Sequence, residues 1–184
     1  MTKKAFDEEG FYSFGDAVRL IDPHDVNKGL LFDGRLNEDF KLANGTWVSV
    51  GPLRAKMIGH FAPFVRDVVI AGLDRDFVAA IIFADADTCR PLASELPERA
   101  PFQEVVTHPA VRARFHSLLK SLAQQATGSS NRIVRAILAE EPPSLDAGEI
   151  TDKGSFNQRA VLERRTALVE ELYAAAPGPR ILMI

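Results

Sequence analysis

Apolar and polar residues alternate in short groups over the first third of the chain, and turn formers cut the groups apart. Glu9-Gly10, Asp22-Pro23, Asn27-Lys28-Gly29, Asp33-Gly34 and Asn44-Gly45 punctuate runs such as Leu30-Leu31-Phe32, which predicts short strands and hairpins. One hairpin is predicted between Lys41 and Val50, where Phe40-Lys41-Leu42 and Trp47-Val48-Ser49-Val50 flank the turn Ala43-Asn44-Gly45-Thr46. The period then changes. Leu53, Met57 and Phe61 recur every four residues behind Pro52, so a short helix should open at Pro52 and stop at Pro63. Val65 to Ala71 and Phe77 to Phe83 are β-rich runs joined by Gly72-Leu73-Asp74-Arg75-Asp76, and they predict two antiparallel strands.

Asp85 to Pro101 is mixed and proline-bearing, which predicts a short helix and a loop. His108-Pro109 opens an amphipathic helix with Val111, Phe115, Leu118 and Leu122 on one stripe and Gly128 at its end. Ile133 to Leu138 reads as a strand broken by Pro142-Pro143. Ser155 to Ala174 reads as one helix carrying Val161, Leu162, Leu168, Val169 and Leu172. Pro177-Gly178-Pro179 ends regular structure, and Ile181 to Ile184 is an apolar tail without an assigned element. The order of elements predicts an α+β fold, with a small antiparallel sheet and a hairpin flanked by helices.

Composition narrows the function. The 184 residues correspond to one domain, or one domain with an attached fragment. Hydrophobic residues at 46% against 26% charged give a globular balance. With 22 basic and 25 acidic residues the net charge is -3, which provides no field for nucleic acid. Arg159, Arg164 and Arg165 are interrupted by Glu163 and followed by Glu170-Glu171, as on a solvated helix face. The single cysteine, Cys89, excludes an internal disulfide framework and a multi-thiolate metal site, and reads as a small buried side chain. Among His24, His60, His108 and His116 no pair has i, i+4 spacing, so no metal site is predicted. No apolar run approaches the roughly 18 residues of a membrane span, and the charged start has no hydrophobic signal core. A cytoplasmic location without a membrane partner is expected. Thr127-Gly128-Ser129-Ser130-Asn131 follows a helix and lacks a Gly-Lys-Ser/Thr ending, so it reads as a helix end rather than a phosphate cradle.

Three segments carry more. They are Phe6-Asp7-Glu8-Glu9-Gly10-Phe11-Tyr12-Ser13-Phe14-Gly15-Asp16, then Phe32-Asp33-Gly34-Arg35 through Lys41 and Gly45 to Trp47-Val48-Ser49, and last Gly148-Glu149-Ile150-Thr151-Asp152-Lys153-Gly154-Ser155-Phe156-Asn157-Gln158-Arg159. Singly they are turn-rich surface stretches. In order, they resemble the motifs around the C-terminal domain of the adenylate-forming acyl-coenzyme A synthetases, and nearly the whole chain takes part. Trp47-Val48-Ser49 is similar to the long-chain and aromatic-acid branches, and the whole phrase is most similar to feruloyl-coenzyme A synthases. The chain departs from the family pattern at three places: Phe14 stands where threonine is usual, Asn37 at the hinge where Asp or Lys is common, and Lys153 before rather than after Gly154.

The resemblance implies a two-step reaction in which ATP and an acid give an acyl-adenylate, and coenzyme A then displaces AMP. It implies Lys153 as the adenylation lysine and Lys41 on a hairpin that replaces it for thioester formation. Asp16 and Arg35 would hold the nucleotide, and Gly45 and Trp47 would border the pantetheine arm. ATP, coenzyme A and Mg²⁺ are the implied cofactors, and an aromatic carboxylic acid is the implied substrate. Residues 1–36 are expected to be the tail of a large N-terminal adenylation domain plus hinge, and residues 37–184 the mobile C-terminal domain. The isolated chain is therefore expected to be inactive. A non-catalytic binding module on the same fold, self-associating as a homodimer, is the alternative.

Overall fold

The computed structural model describes residues 6–12 and 15–184. Two small antiparallel ribbons come first, β1 (Asp16–Leu20) with β2 (Leu30–Arg35) and β3 (Phe40–Lys41) with β4 (Trp47–Val48). Helix α1 (Val50–Phe61) follows. A four-stranded sheet is then built from β5 (Val65–Ala71), β6 (Val78–Ala84), β7 (Ile133–Leu138) and β8 (Ile181–Met183), in that spatial order. Helices α2 (Ala86–Cys89), α3 (Phe102–Thr107) and α4 (Pro109–Gln124) lie between β6 and β7. Helices α5 (Gln158–Arg164) and α6 (Thr166–Tyr173) lie between β7 and β8. The α+β class and both predicted hairpins stand.

Every residue of β6 is buried, because the sheet is covered on both faces. Val78, Ala80 and Ile82 point to one side and pack with Leu53, Met57 and Phe61 of α1 and with Val111, Phe115, Leu119 and Leu122 of α4. Ala79, Ile81 and Phe83 point to the other side, against Phe156, Val161 of α5 and Leu172 of α6. Two-residue alternation in the strand and four-residue spacing in the helices are thus satisfied by the same core.

The structure differs from the expectations in five places. The central sheet is mixed, since β6 and β7 run parallel across the long α2–α4 crossover while the other two pairs are antiparallel. Helix α1 starts at Val50, ahead of Pro52, because Asp39 Oδ1 accepts the Val50 N–H at 2.8 Å and satisfies a free helix-end donor from a distance. Leu119 rather than Leu118 is the fully buried member of the α4 stripe. The apolar tail is the edge strand β8. The predicted last helix is two helices, broken at Arg165.

Candidate functional site

A cleft of 680 Å³ opens between the β1–β2 ribbon, α1 and the segment ahead of α5. Arg19, Arg35, Glu38, Arg54 and Asp67 line it, with Gly154, Ser155 and Phe156 on the far wall. Arg35 ends β2 opposite Asp16 in β1. The ribbon reaches α1 through two glycines, Gly34 and Gly51, whose backbones touch so closely that a Cβ on Gly51 would stand 2.5 Å from Gly34 Cα, while Gly34 holds a φ of 109° that a side chain would strain. Arg54 donates from Nε and Nη2 to the two oxygens of the buried Asp67, at 2.8 and 2.5 Å. Burial pushes the Glu38 carboxyl above its usual range, Arg35 and Arg54 oppose that, and Asp39 and Asp67 add to it.

The Lys153 loop is short and tightly built. Ile150 and Phe156 form a bridge, Thr151 N–H donates to Ser155 O at 2.9 Å, and Gly154 N–H donates to Thr151 O at 2.9 Å. Gly154 has a φ of 79°, which a side chain would strain, and Lys153 projects as an exposed residue at the tip. Inside, the loop is fixed by Glu149, which has no exposure. Its carboxylate accepts from Arg165 Nε and Nη2 at 2.6 and 2.9 Å and from the Ser144 N–H at 2.7 Å, with Arg164 Nη1 at 3.0 Å. Burial alone would raise the Glu149 carboxyl, but the Arg165 and Ser144 hydrogen bonds and the charges of Arg165 and Arg164 hold it at about 2. Behind the loop, Gln158 accepts from Ile70 N–H and donates to Val68 O, so α5 is tied to the free edge of β5.

The second lysine stands elsewhere. Lys41 faces Trp47 across the β3–β4 hairpin with its ammonium 5.9 Å from the indole centroid. Phe40 lies on Gly72, and Asp74 N–H donates to Lys41 O, so the hairpin rests on the β5–β6 turn. Gly45 turns this hairpin at a φ of 82° with open space around it.

The structure therefore brings Arg35 together with Gly154 next to Lys153. Asp16 pairs with Arg35 in the ribbon without lining the cleft, and Lys41, Gly45 and Trp47 sit outside it. Phe14 lies outside the described residues. Cys89 is buried as expected, and desolvation, with Asp85 nearby, pushes its thiol up to about 12. Among the described residues no group of three His, Cys, Asp or Glu side chains is arranged to hold a metal. Sequence reasoning missed Glu38, Arg54 and Asp67, although a carboxylate inside the apolar run Val65 to Ala71 was a signal. It also placed Arg165 on a solvated face, whereas the helix break turns Arg165 inward, to 9% exposure.

Residues 38–177 match the family model described as the AMP-binding enzyme C-terminal domain. The chain belongs to this family. The chain is 24% identical over 175 residues to a carboxylic acid reductase of Segniliparus rugosus, covering 94% of this chain and 13% of that protein. It is 25% identical over 191 residues to a long-chain-fatty-acid–CoA ligase of Mus musculus, covering 94% of this chain and 28% of the ligase. The domain thus spans between an eighth and a third of the length of these curated relatives. The adenylation domain of the Segniliparus rugosus reductase, solved with AMP and a co-purified carboxylic acid, shares the fold with a TM-score of 0.67 at 22% identity, over 94% of this chain and 24% of that one. No helix among the described residues is long and apolar enough to cross a membrane.

Proposed function

We propose that this chain is the mobile lid of an ATP-dependent acid–thiol ligase acting on an aromatic acid, in the manner of a feruloyl-coenzyme A synthase. One observation carries the reading: the two lysines stand on separate, independently braced devices, and only the Lys153 loop borders the cleft that Arg35 lines. A two-step reaction needs two such devices. In the first step a carboxylate oxygen attacks the α-phosphorus of ATP and pyrophosphate leaves. The Lys153 ammonium neutralises charge between the acid and the α-phosphate, and one such preorganised group supplies about 3–4 kcal/mol of transition-state stabilisation. The Asp16 carboxylate takes the ribose hydroxyls of the nucleotide, with Arg35 beside it.

In the second step the coenzyme A thiol attacks the acyl carbon and AMP leaves. The β3–β4 hairpin serves this step. Gly45 carries no Cβ and has open space around it, so a pantetheine arm passes close to the backbone, while Trp47 offers an exposed flat face and Lys41 a cation. The residues fit the organic groups of the reaction. Mg²⁺ would enter as the counter-ion of the triphosphate and screen its charge.

The partner is a large adenylation domain. Residues 1–36 are read as its tail, with the hinge at Asn37. The exposed apolar side chains of that tail support this: Leu30 is 60% exposed and Phe32 65%. The similarity to a carboxylic acid reductase and to a fatty-acid–CoA ligase, each named for a carboxylic acid, supports the substrate class. A cytoplasmic setting, where ATP and coenzyme A are available, belongs to the same proposal. The experiment is acid-dependent exchange of labelled pyrophosphate into ATP, run across aromatic and fatty acids. The enzyme containing both domains should exchange with ferulate-like acids, and the chain alone should give no signal above a heat-killed control. Exchange by the chain alone, or no acid dependence in the two-domain enzyme, contradicts the proposal.

A further inference from the structure

We propose that Glu149 and Arg165 are positioning residues for Lys153, acting as an internal strut that sets where the loop tip points. The inference rests on the assignment of Lys153 made above, but its physical basis is separate. Arg165 gathers three points of one segment: Nη1 donates to Glu141 O at 3.1 Å, Nη2 to Pro142 O at 2.9 Å, and Nε with Nη2 to the Glu149 carboxylate. The guanidinium also lies 4.9 Å from the Phe83 ring centroid, so its plane is fixed against the sheet. Glu149 closes the segment on itself. Its side chain takes the Ser144 N–H, its own N–H donates to Ser144 O, and its carbonyl takes the Asn157 N–H at 2.9 Å. Arg164 Nη1 also reaches the carboxylate, at 3.0 Å from the exposed side, so both ends of the 150–156 hairpin hang on Glu149, and Arg165 is its buried, bidentate partner.

The helix break has the same origin. Arg165 sits between α5 and α6 with φ −97° and ψ 36°, and a continuous helix would turn the residue differently. Regular helix and solvation of a charge are both given up to bring one guanidinium under one loop. A buried ion pair is weak evidence for stability, since apolar residues of similar volume often serve as well. What it supplies instead is direction, because a bidentate pair accepts only one geometry. The beneficiary is the exposed tip, where Lys153 has no brace of its own beyond the hairpin.

The test separates the strut from the lysine and from the fold. Glu149→Gln, Arg165→Lys and the double change Glu149→Leu with Arg165→Met are compared with Lys153→Ala. In the 184-residue chain, hydrogen exchange at the Thr151 and Asn157 amides should speed up by tenfold or more in the strut variants, while amides of β5 and β6 keep their protection. Neither amide bonds to an altered side chain, so the readout reports the loop. In the enzyme containing both domains, the same variants should lower acyl-adenylate formation by tenfold to a hundredfold through kcat, with KM for ATP nearly unchanged. Thioester formation from supplied adenylate should be unaffected, and Arg165→Lys should not restore the loss.

Unchanged exchange at Thr151 and Asn157 in all strut variants would overturn the proposal. So would a loosened loop with full adenylation, or equal loss of both half-reactions. Global unfolding of all three variants would overturn it as well, because the pair would then hold the domain rather than the loop. Full adenylation by Lys153→Ala alone would instead overturn the lysine assignment.

Discussion

Arg54 and Asp67 meet in the wall of the cleft as a bidentate pair, with the carboxylate side chain 10% exposed and the guanidinium 28% exposed. The asymmetry sets the consequences of breaking it. Asp67 also accepts the Val68 N–H at 2.7 Å, so its charge is committed to the sheet. Arg54→Met leaves a buried carboxylate unpaired and should destabilise the chain by roughly 2 kcal/mol, whereas Asp67→Ala lets Arg54 swing into the open cleft and should cost about 1 kcal/mol. Urea unfolding of both variants checks the order. A larger loss in Asp67→Ala would mean that Arg54 is the more committed partner.

The Glu149 carboxyl gives a stability term with a defined pH sign. Its folded value is about 2, against the ordinary 4.5, so the stabilisation is fully present above pH 4.5 and is lost as pH falls toward 2. The size is on the order of 3 kcal/mol at neutral pH. Thermal melting from pH 7 to pH 3 should therefore fall more steeply for the parent chain than for Glu149→Gln, with the two curves converging in acid. Parallel curves would contradict the assignment.

Among the described residues the β1–β2 ribbon pairs only with itself, and it reaches α1 through the Gly34–Gly51 contact. Amides in residues 16–35 should exchange much faster than those of β5, as weakly packed segments do. Gly51→Ala places a methyl group where the Gly34 backbone stands, and should loosen the ribbon at a cost of about 1–3 kcal/mol. Exchange measured by mass spectrometry should show the change confined to the ribbon and the first turn of α1. Protection of residues 16–35 equal to that of β5 would show the ribbon to be integral to the fold.

Local pattern made the elements legible and left their assembly open. Leu53, Met57 and Phe61 announced α1, and Asn44-Gly45 announced its hairpin, because helix period and turn chemistry act over a few residues. The start of α1 depended on Asp39, eleven residues before Val50, and no nearest-neighbour rule reaches that far. The parallel pairing of β6 with β7 and the capture of the tail as β8 are decisions of the whole sheet. Arg165 was misread for a related reason. Its neighbours Glu163, Arg164 and Thr166 are exposed, and partners distant in sequence, Glu149 and the carbonyls of Glu141 and Pro142, turn it inward. The resemblance alone proposes roles for Lys41, Gly45 and Lys153, while Glu38, Arg54 and Asp67 became a group only when β5 folded against α1.

The division of labour between the two lysines is the centre of the account, and rapid-quench measurement of the two half-reactions in the enzyme containing both domains tests it most directly. Lys153→Ala should slow acyl-adenylate formation by roughly 10²–10³ while leaving thioester formation from supplied adenylate nearly intact. Lys41→Ala should do the reverse. Equal loss of both half-reactions in either variant would contradict the assignment of the two lysines to two steps.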